Sequence, residues 1–475
     1  MNWKTLLCPT RLHDDTSPEN ITDLRSAFEK DYHRIISSAS FRRLQDKTQV
    51  FPLDKSDFIR TRLTHSIEVS SIARSLGHHI SQYIIRQGLD PDFDLDMQAA
   101  VCSILQCAGL IHDIGNPPFG HFGETTIREW FRVRLPQMTF EHRPLTDRLS
   151  PQMLADLYRF EGNAQALRLL TKLHFLEDEY GMNLTCALLA SILKYPVNSI
   201  QADSKSKDIK SKKPGYHYAE RDVYAKIQET MQLHGMRHPL TFLLEAADDI
   251  AYLTADIEDA CRKGYLHYNH LLEELYSEKY VDSLTGDHRR EYLRIADIME
   301  QKYKLGKERH ASDPASFAIA NWTVAVQDFL MHNAINGFVT HYQEIMNGTY
   351  RKDLFADTPA QMLHFALGDI AYRNVFISRP IFKLEISAAT VLEYLLEKFT
   401  AAAIHYDTEH RITDVQDKLM TLISDNYKSV YARESVGKSK QERLYLRLLL
   451  VTDSICGMTD SYAKRLYQEL NGIDY

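Results

Sequence analysis

No run of about 18 apolar residues occurs anywhere in the 475-residue sequence, so a membrane-spanning helix is not expected. The opening stretch, Met1 to Leu7, is too short in apolar residues to act as a signal peptide. Cysteine is sparse, and Cys8, Cys102, Cys107, Cys186, Cys261 and Cys456 show neither C-x-x-C spacing nor a dense framework. That pattern excludes a disulfide scaffold and reads as reduced, mostly core thiols. An excess of positive charge is missing too. Lys and Arg number 56 against 64 Asp and Glu, a formal net charge of −8, which argues against bulk nucleic-acid binding and leaves room only for a local basic patch. There is no internal repeat. Together these absences predict a soluble cytoplasmic protein. A hydrophobic fraction of 44% is ample for a sizeable core. The length suggests about two to four ordinary domains, or one large helical domain with additions.

What is present is organised around the stretch from Gly109 to Glu124. It begins as the end of an apolar helix running from Leu95 through Ile111 and passes directly into His112-Asp113. Gly115, Pro117, Pro118 and Gly120 then forbid the helix to continue, so the backbone turns sharply. His121 and Glu124 follow at a three-residue spacing that puts them on one face of a new helix. A lone His-Asp pair reads as a polar helix end; the breakers and the second His-Glu pair turn the reading toward a divalent-metal site.

Along the chain, helical stretches are predicted over 23–44, with a loop through Pro52 and Asp57. A periodic helix follows over 61–85, with Ile67, Ile72, Leu76 and Ile80 facing inward. After the central turn come helices near 124–135, 151–159 and 163–195. Residues 199–215 carry Lys205, Lys207, Lys210, Lys212 and Lys213 with almost no apolar content, and read equally as a solvated mobile loop or as a phosphate-contacting lid. Helices resume over 219–234, 240–263, 268–305, 315–347, 386–425 and 440–470, and a strand pair is predicted over 374–384, split by Arg379-Pro380. The fold class is therefore all-α, with at most a small β-hairpin.

Four residues at separated positions suit one metal site: His65 at a helix start, His112 and Asp113 at a helix end, and Asp248 within Leu244-Glu245-Ala246-Ala247-Asp248-Asp249-Ile250-Ala251-Tyr252. A carboxylate among Ala, Ile and Leu needs a partner or an ion, unless Glu245, Asp248 and Asp256 simply form a solvated face. Two imidazoles and two carboxylates leave positions for water and a phosphate oxygen on an octahedral ion. Tyr252 and Asp256 continue the Asp248 face at steps of four.

The H…HD…D pattern resembles the HD phosphohydrolase superfamily, and longer strings resemble its deoxyguanosine triphosphate triphosphohydrolases. These strings are His112 to Glu124, Phe160-Glu161-Gly162-Asn163-Ala164-Gln165, Glu245 to Tyr252, Lys213-Pro214-Gly215-Tyr216 and Asp453 to Asp460. They span residues 30–265 closely, which reads as an HD-type catalytic core with 1–29 appended, and the C-terminus more thinly; 266–475 would complete the pocket and the oligomer contacts. The resemblance implies that His65, His112, Asp113 and Asp248 hold a divalent ion, Mn²⁺ or Mg²⁺. It makes His121 the catalytic imidazole and Glu124 the carboxylate that orients it. Arg62, Lys194, Tyr195 and Lys213 would hold a triphosphate; Gln49 would meet a 3′ hydroxyl, with Val50 crowding the 2′ position; Glu385 would contact the base. The implied reaction releases deoxynucleoside and intact triphosphate from a dNTP, dGTP first. A homo-oligomer, tetramer or hexamer, is implied as well, with a nucleotide or single-stranded nucleic acid as candidate effector. Two rivals stay open: an HD phosphatase or phosphodiesterase on mono- or cyclic nucleotides, and a nucleotide-sensing regulator.

Overall fold

The computed structural model describes residues 1–13, 23–51, 53, 58–174, 180–410 and 412–473, so Pro52 and Asp57 lie outside the described residues. Two helices form its centre. Helix α1 (Arg62–Gln87) is opened by a capping box in which the Thr61 side chain accepts from the Thr64 amide, and it ends at Gly88, whose φ of +59° suits a left-handed cap. Helix α2 (Leu95–Ile111) starts where Asp94 accepts from the Met97 amide. The two backbones touch closely: a Cβ on Gly109 would stand 2.5 Å from the Ser70 Cα, and the Ser70 hydroxyl donates to the Gln106 carbonyl at 2.8 Å. That approach brings the start of α1 beside the end of α2.

Helix α3 (Gly120–Arg134) leaves the turn. Helix α4 (Pro239–Arg262) packs across α1, and α5 (Pro314–Thr340) and α6 (Gln361–Ala371) pack on α4. These elements, α3 excepted, share one large apolar core containing Val69, Leu105, Ile111, Leu243, Ile250, Trp322 and Leu367. A second core joins α3 to α7 (Arg379–Ala403), α8 (Lys440–Cys456) and α9 (Asp460–Leu470) through Phe131, Leu392, Phe399 and Leu449. The turn after Ile111 crosses from the first core to the second, since Ile114 belongs to one and Phe119 to the other.

A buried charge network ties the two halves. Arg168 donates from Nε to Asp453 Oδ1 at 2.8 Å, from Nη2 to Asp453 Oδ2 at 2.8 Å and from Nη1 to Glu220 Oε1 at 2.8 Å, while Gln165 donates to Asp453 Oδ1 at 2.9 Å. Breaking such a group by removing one partner strands the others away from water. Arg168→Met is expected to lower stability by about 3–5 kcal/mol, read as a shift of the urea midpoint; a loss below about 1 kcal/mol would mean that water reaches the carboxylates.

The all-α reading holds, with several corrections. Residues 163–195 are two helices, Gly162–Arg168 and Cys186–Ile192, with a π turn at Leu169–Leu173 after the first. Residues 268–305 divide into Tyr268–Leu275, Glu278–Val281 and Gly286–Glu308, the last break falling at Gly286, φ +56°. Likewise 386–425 divides among α7, Asp414–Thr421 and the start of Asp425–Ser435. Ile67 is 52% exposed; Val69, Ala73, Leu76, Ile80 and Ile84 make the buried side of α1. No strand forms over 374–384. Pro380 instead opens α7, where its missing N–H costs nothing, and Ile381, Ala388, Val391, Leu392 and Leu395 bury one helical face. The hairpin lies at Thr139–Phe140 and Arg143–Pro144, turned by Glu141 (φ +49°) and His142 (φ +64°).

Candidate active site and metal centre

His112 caps α2, and its Nδ1 lies 2.8 Å from the Gly109 carbonyl. The proton therefore belongs on Nδ1, which leaves Nε2 as a lone-pair donor. That Nε2 is buried without a hydrogen-bond partner among the described residues, 3.4 Å from Asp248 Oδ1 and 3.6 Å from Asp113 Oδ2. From the first turn of α1, His65 Nε2 reaches to 3.2 Å of Asp248 Oδ1. His65, His112 and Asp113 each offer one ligand atom within 4.8 Å of the others. The unpartnered nitrogen and the mixed imidazole–carboxylate donor set fit a divalent ion. Burial works to raise the Asp113 carboxyl, but the Arg62 guanidinium outweighs it, so Asp113 stays below the ordinary carboxylate range. For Asp248 the same opposition is won by Lys194, whose Nζ donates to Oδ2 at 2.9 Å.

The turn itself is held from outside. Asn116 donates to Asp113 Oδ1 at 2.8 Å, aiming that carboxylate. Buried Lys47 donates to the Asn116 carbonyl at 2.6 Å and to the Cys456 carbonyl at 2.7 Å. Phe119 sits at φ +63°, a conformation worth about 1–3 kcal/mol of strain that persists only where its surroundings impose it. Its N–H donates to Asp460 Oδ1 at 2.9 Å, and Asp460 Oδ2 accepts from the Thr48 amide at 3.0 Å. Gly120 follows at φ +61°, and a Cβ there would meet Arg62 Nη2 at 2.6 Å. Arg62, buried beneath it, is ion-paired with Asp113.

One helical turn on, His121 Nδ1 lies 3.0 Å from Glu124 Oε2. The imidazole is 74% exposed, whereas Glu124 is buried and also accepts from the Gly162 amide at 2.7 Å and from Arg128 at 3.1 Å. Burial opposes the Glu124 charge, but the His121 hydrogen bond, with Lys213 and Arg128, holds its pKa down to about 2. Beside it, Lys213 donates to Glu161 Oε1 at 2.9 Å.

Asp113, His121 and Asp248 open on a cavity of about 580 Å³. Its wall also carries Gln49, Val50, Arg62, Lys194 and Tyr195, with Lys213, Tyr252 and Asp256 further round. Glu385 is not among the lining residues; it stands on the first turns of α7, outside this cavity. The lysine segment is tied down rather than fully solvated: Arg159 donates to the Ser199 and Ala202 carbonyls at 2.9 and 2.6 Å, and Lys212 joins Lys213 on the wall. Sequence reasoning missed the opposite wall. There His364 Nε2 lies 3.0 Å from Asp249 Oδ2, its ring stacks on Phe355 at 4.7 Å, and Phe376 lines the same cavity. Asp249 was signalled by the Asp-Asp pair; His364 sits in a segment with no recognisable string.

The HD domain family matches residues 62–193, the span that holds His65, His112 and Asp113. Fold and site together define an HD-domain phosphohydrolase with a candidate divalent-metal site. A deoxyguanosinetriphosphate triphosphohydrolase-like protein of Listeria monocytogenes is 46% identical over 478 residues, covering the whole of both chains. One of Synechocystis is 33% identical, again over the whole of both. The deoxyguanosinetriphosphate triphosphohydrolase of Klebsiella pneumoniae is 30% identical, with 100% of this chain and 98% of that one covered. The chain belongs to the deoxyguanosinetriphosphate triphosphohydrolase family.

Proposed function

We propose that the protein hydrolyses deoxynucleoside triphosphates, dGTP before the others, between the α-phosphorus and the sugar 5′ oxygen, releasing deoxynucleoside and intact triphosphate. One observation carries this reading: a single cavity is lined at once by two carboxylates of the metal site, by His121, and by Arg62, Lys194 and Lys213. Three cations suit a triphosphate better than a monophosphate.

His65, His112, Asp113 and Asp248 would hold the ion, Mn²⁺ or Mg²⁺, which supplies Lewis-acid polarisation of a phosphoryl oxygen. The cations now face Asp113, Asp248 and Glu161, so they bind triphosphate by exchanging protein carboxylates for phosphate oxygens. Glu124 keeps the His121 ring in place, leaving Nε2 to take a proton from the attacking water or to give one to the departing 5′ oxygen. Gln49 Oε1 is buried with no hydrogen-bond partner among the described residues, which supports its acceptance of a sugar 3′ hydroxyl. Residues 30–265 act as the catalytic core and 266–475 complete the pocket, a division supported by Phe355, His364 and Phe376 on its wall.

Phosphorus NMR of the products formed from each dNTP with Mn²⁺ or Mg²⁺ tests the reaction. Tripolyphosphate is expected; orthophosphate would favour the phosphatase reading, and no turnover the sensor. The same assay run with GTP tests the sugar floor. Val50 is buried and offers no hydrogen bond, so a 2′ hydroxyl would be enclosed unpaired at roughly 1–3 kcal/mol. dGTP is therefore expected to exceed GTP by about ten- to a few hundred-fold in kcat/KM, with the gap narrowed in Val50→Ala. Equal rates on both sugars would remove Val50 from that role.

A further inference from the structure

A second cavity, of about 610 Å³, shares no lining residue with the first. It lies between the Thr139–Pro144 hairpin, the segment 407–410 and the first two turns of α8. Lys440, Arg443 and Arg447 line it from α8 at steps of three and four, hence from one helical face. Three arginines meet here, and two are matched: Arg148 donates to Glu141 Oε2 at 2.7 Å and Arg443 to Asp407 Oδ2 at 2.5 Å. Arg447 is not. It is only 3% exposed, and among the described residues no carboxylate pairs with it and its Nε has no hydrogen-bond partner. Its near neighbours are the Phe140 ring, 5.5 Å below the guanidinium carbon, and the Tyr431 phenol, behind which stands Asp407, whose Oδ2 is already shared by the Tyr431 hydroxyl and Arg443. A guanidinium does not shed its proton, so burial leaves a charge that the shared Asp407 carboxylate offsets only in part and that a further anion would meet. The N-terminus of a 17-residue helix adds its partial positive charge on the same side.

We propose that this cavity is a second ligand site, taking a compact phosphate-class anion on Arg447 in its depth and Lys440 at its rim. The Lys440 side chain is 89% exposed, and its nearest acid, Glu141, stands 3.8 Å away and already carries Arg148. Glu141, Asp407 and Glu409 also line the space, so one phosphoryl group is accommodated more readily than a long polyanion. The site touches neither the His121–Glu124 pair nor the metal ligands, and it stands independently of the reaction proposed above.

Equilibrium dialysis of the full-length, metal-loaded protein against radiolabelled orthophosphate tests it. Lys194→Ala, made to weaken phosphate capture in the first cavity, is expected to retain one bound phosphate per chain. Adding Arg447→Gln is expected to abolish that phosphate, and adding Lys440→Ala to weaken it by about two- to fivefold. Because Lys440 is exposed, its variant serves even if Arg447→Gln does not fold. Displacement of the label by deoxynucleoside monophosphates at lower concentration than by orthophosphate would assign a nucleotide-borne phosphoryl, and the reverse order a free anion; either supports the site. Unchanged binding in both α8 variants, or no phosphate beyond that removed by Lys194→Ala, overturns it.

Discussion

Asp113→Ala is expected to lose its ion and with it all measurable turnover, while keeping its helix content. Asp113 holds two roles at once: Oδ2 faces His112 Nε2 and Arg62, and Oδ1 is aimed by Asn116. Outer partners that merely orient a metal ligand are worth about 10–100-fold in affinity or activity. Asn116→Ala is accordingly expected to fall in that range and Asp113→Ala beyond it. Metal content by mass spectrometry and circular dichroism of the purified variants decide the matter. Stoichiometric metal in Asp113→Ala would remove this residue from the ligand set, whatever its activity. The variant also leaves Arg62 as a buried cation without its carboxylate, so some loss of stability accompanies the loss of ion.

The elements around this centre were legible in sequence because local physics writes them there. Thr61 and Asp94 cap their helices through their own side chains, Gly88 ends one in the left-handed region, and Pro117 and Pro118 stop another. The His121–Glu124 spacing needs nothing beyond the helical period to bring the two side chains together. Where tertiary packing chose between alternatives, the reading failed. Val375, Phe376, Ile377, Ile381 and Phe382 have strand-like character, yet Val375 and Ile381 bury at helical positions and the chain follows them. The true hairpin turns on Glu141-His142, which lacks the Asn-Gly or Asp-Gly signature that a turn with two positive φ values usually shows.

Contacts made across long separations were the least legible. Asp460 can be read from its neighbours as the start of a helix, but nothing near it announces that its carboxylate holds Thr48, 412 residues away, and Phe119. Lys47 reaches Cys456 over a comparable distance. Together they connect the segment carrying Gln49 and Val50, the turn that leads into His121 and the C-terminal helices. His364 reaches the cavity because α6 packs on α4. Glu385 was placed by resemblance alone, and such placement weakens where the chain carries no string of its own.

His121→Ala is expected to keep its ion and its substrate affinity while kcat falls by about 10²–10⁴-fold, the usual contribution of a positioned acid–base group. The reason lies in what His121 touches. Its Nδ1 meets Glu124, no hydrogen bond joins it to the four candidate ligands, and its ring lies largely open to the cavity. Glu124→Gln separates orientation from proton transfer. The neutral amide keeps the shape of Glu124 but removes a charge on which His121, Arg128 and the Gly162 amide all converge. Its folded pKa of about 2 lies below the ordinary 4.5, so the carboxylate stabilises the fold above about pH 4.5, and that contribution is lost as pH falls toward 2. Glu124→Gln should therefore flatten the acid limb of the stability–pH curve as well as lower kcat. If the two residues act as one unit, the double variant is expected to be little slower than His121→Ala alone. Additive losses would give Glu124 a separate role, and a near-normal kcat in His121→Ala would mean that the ion alone activates the water.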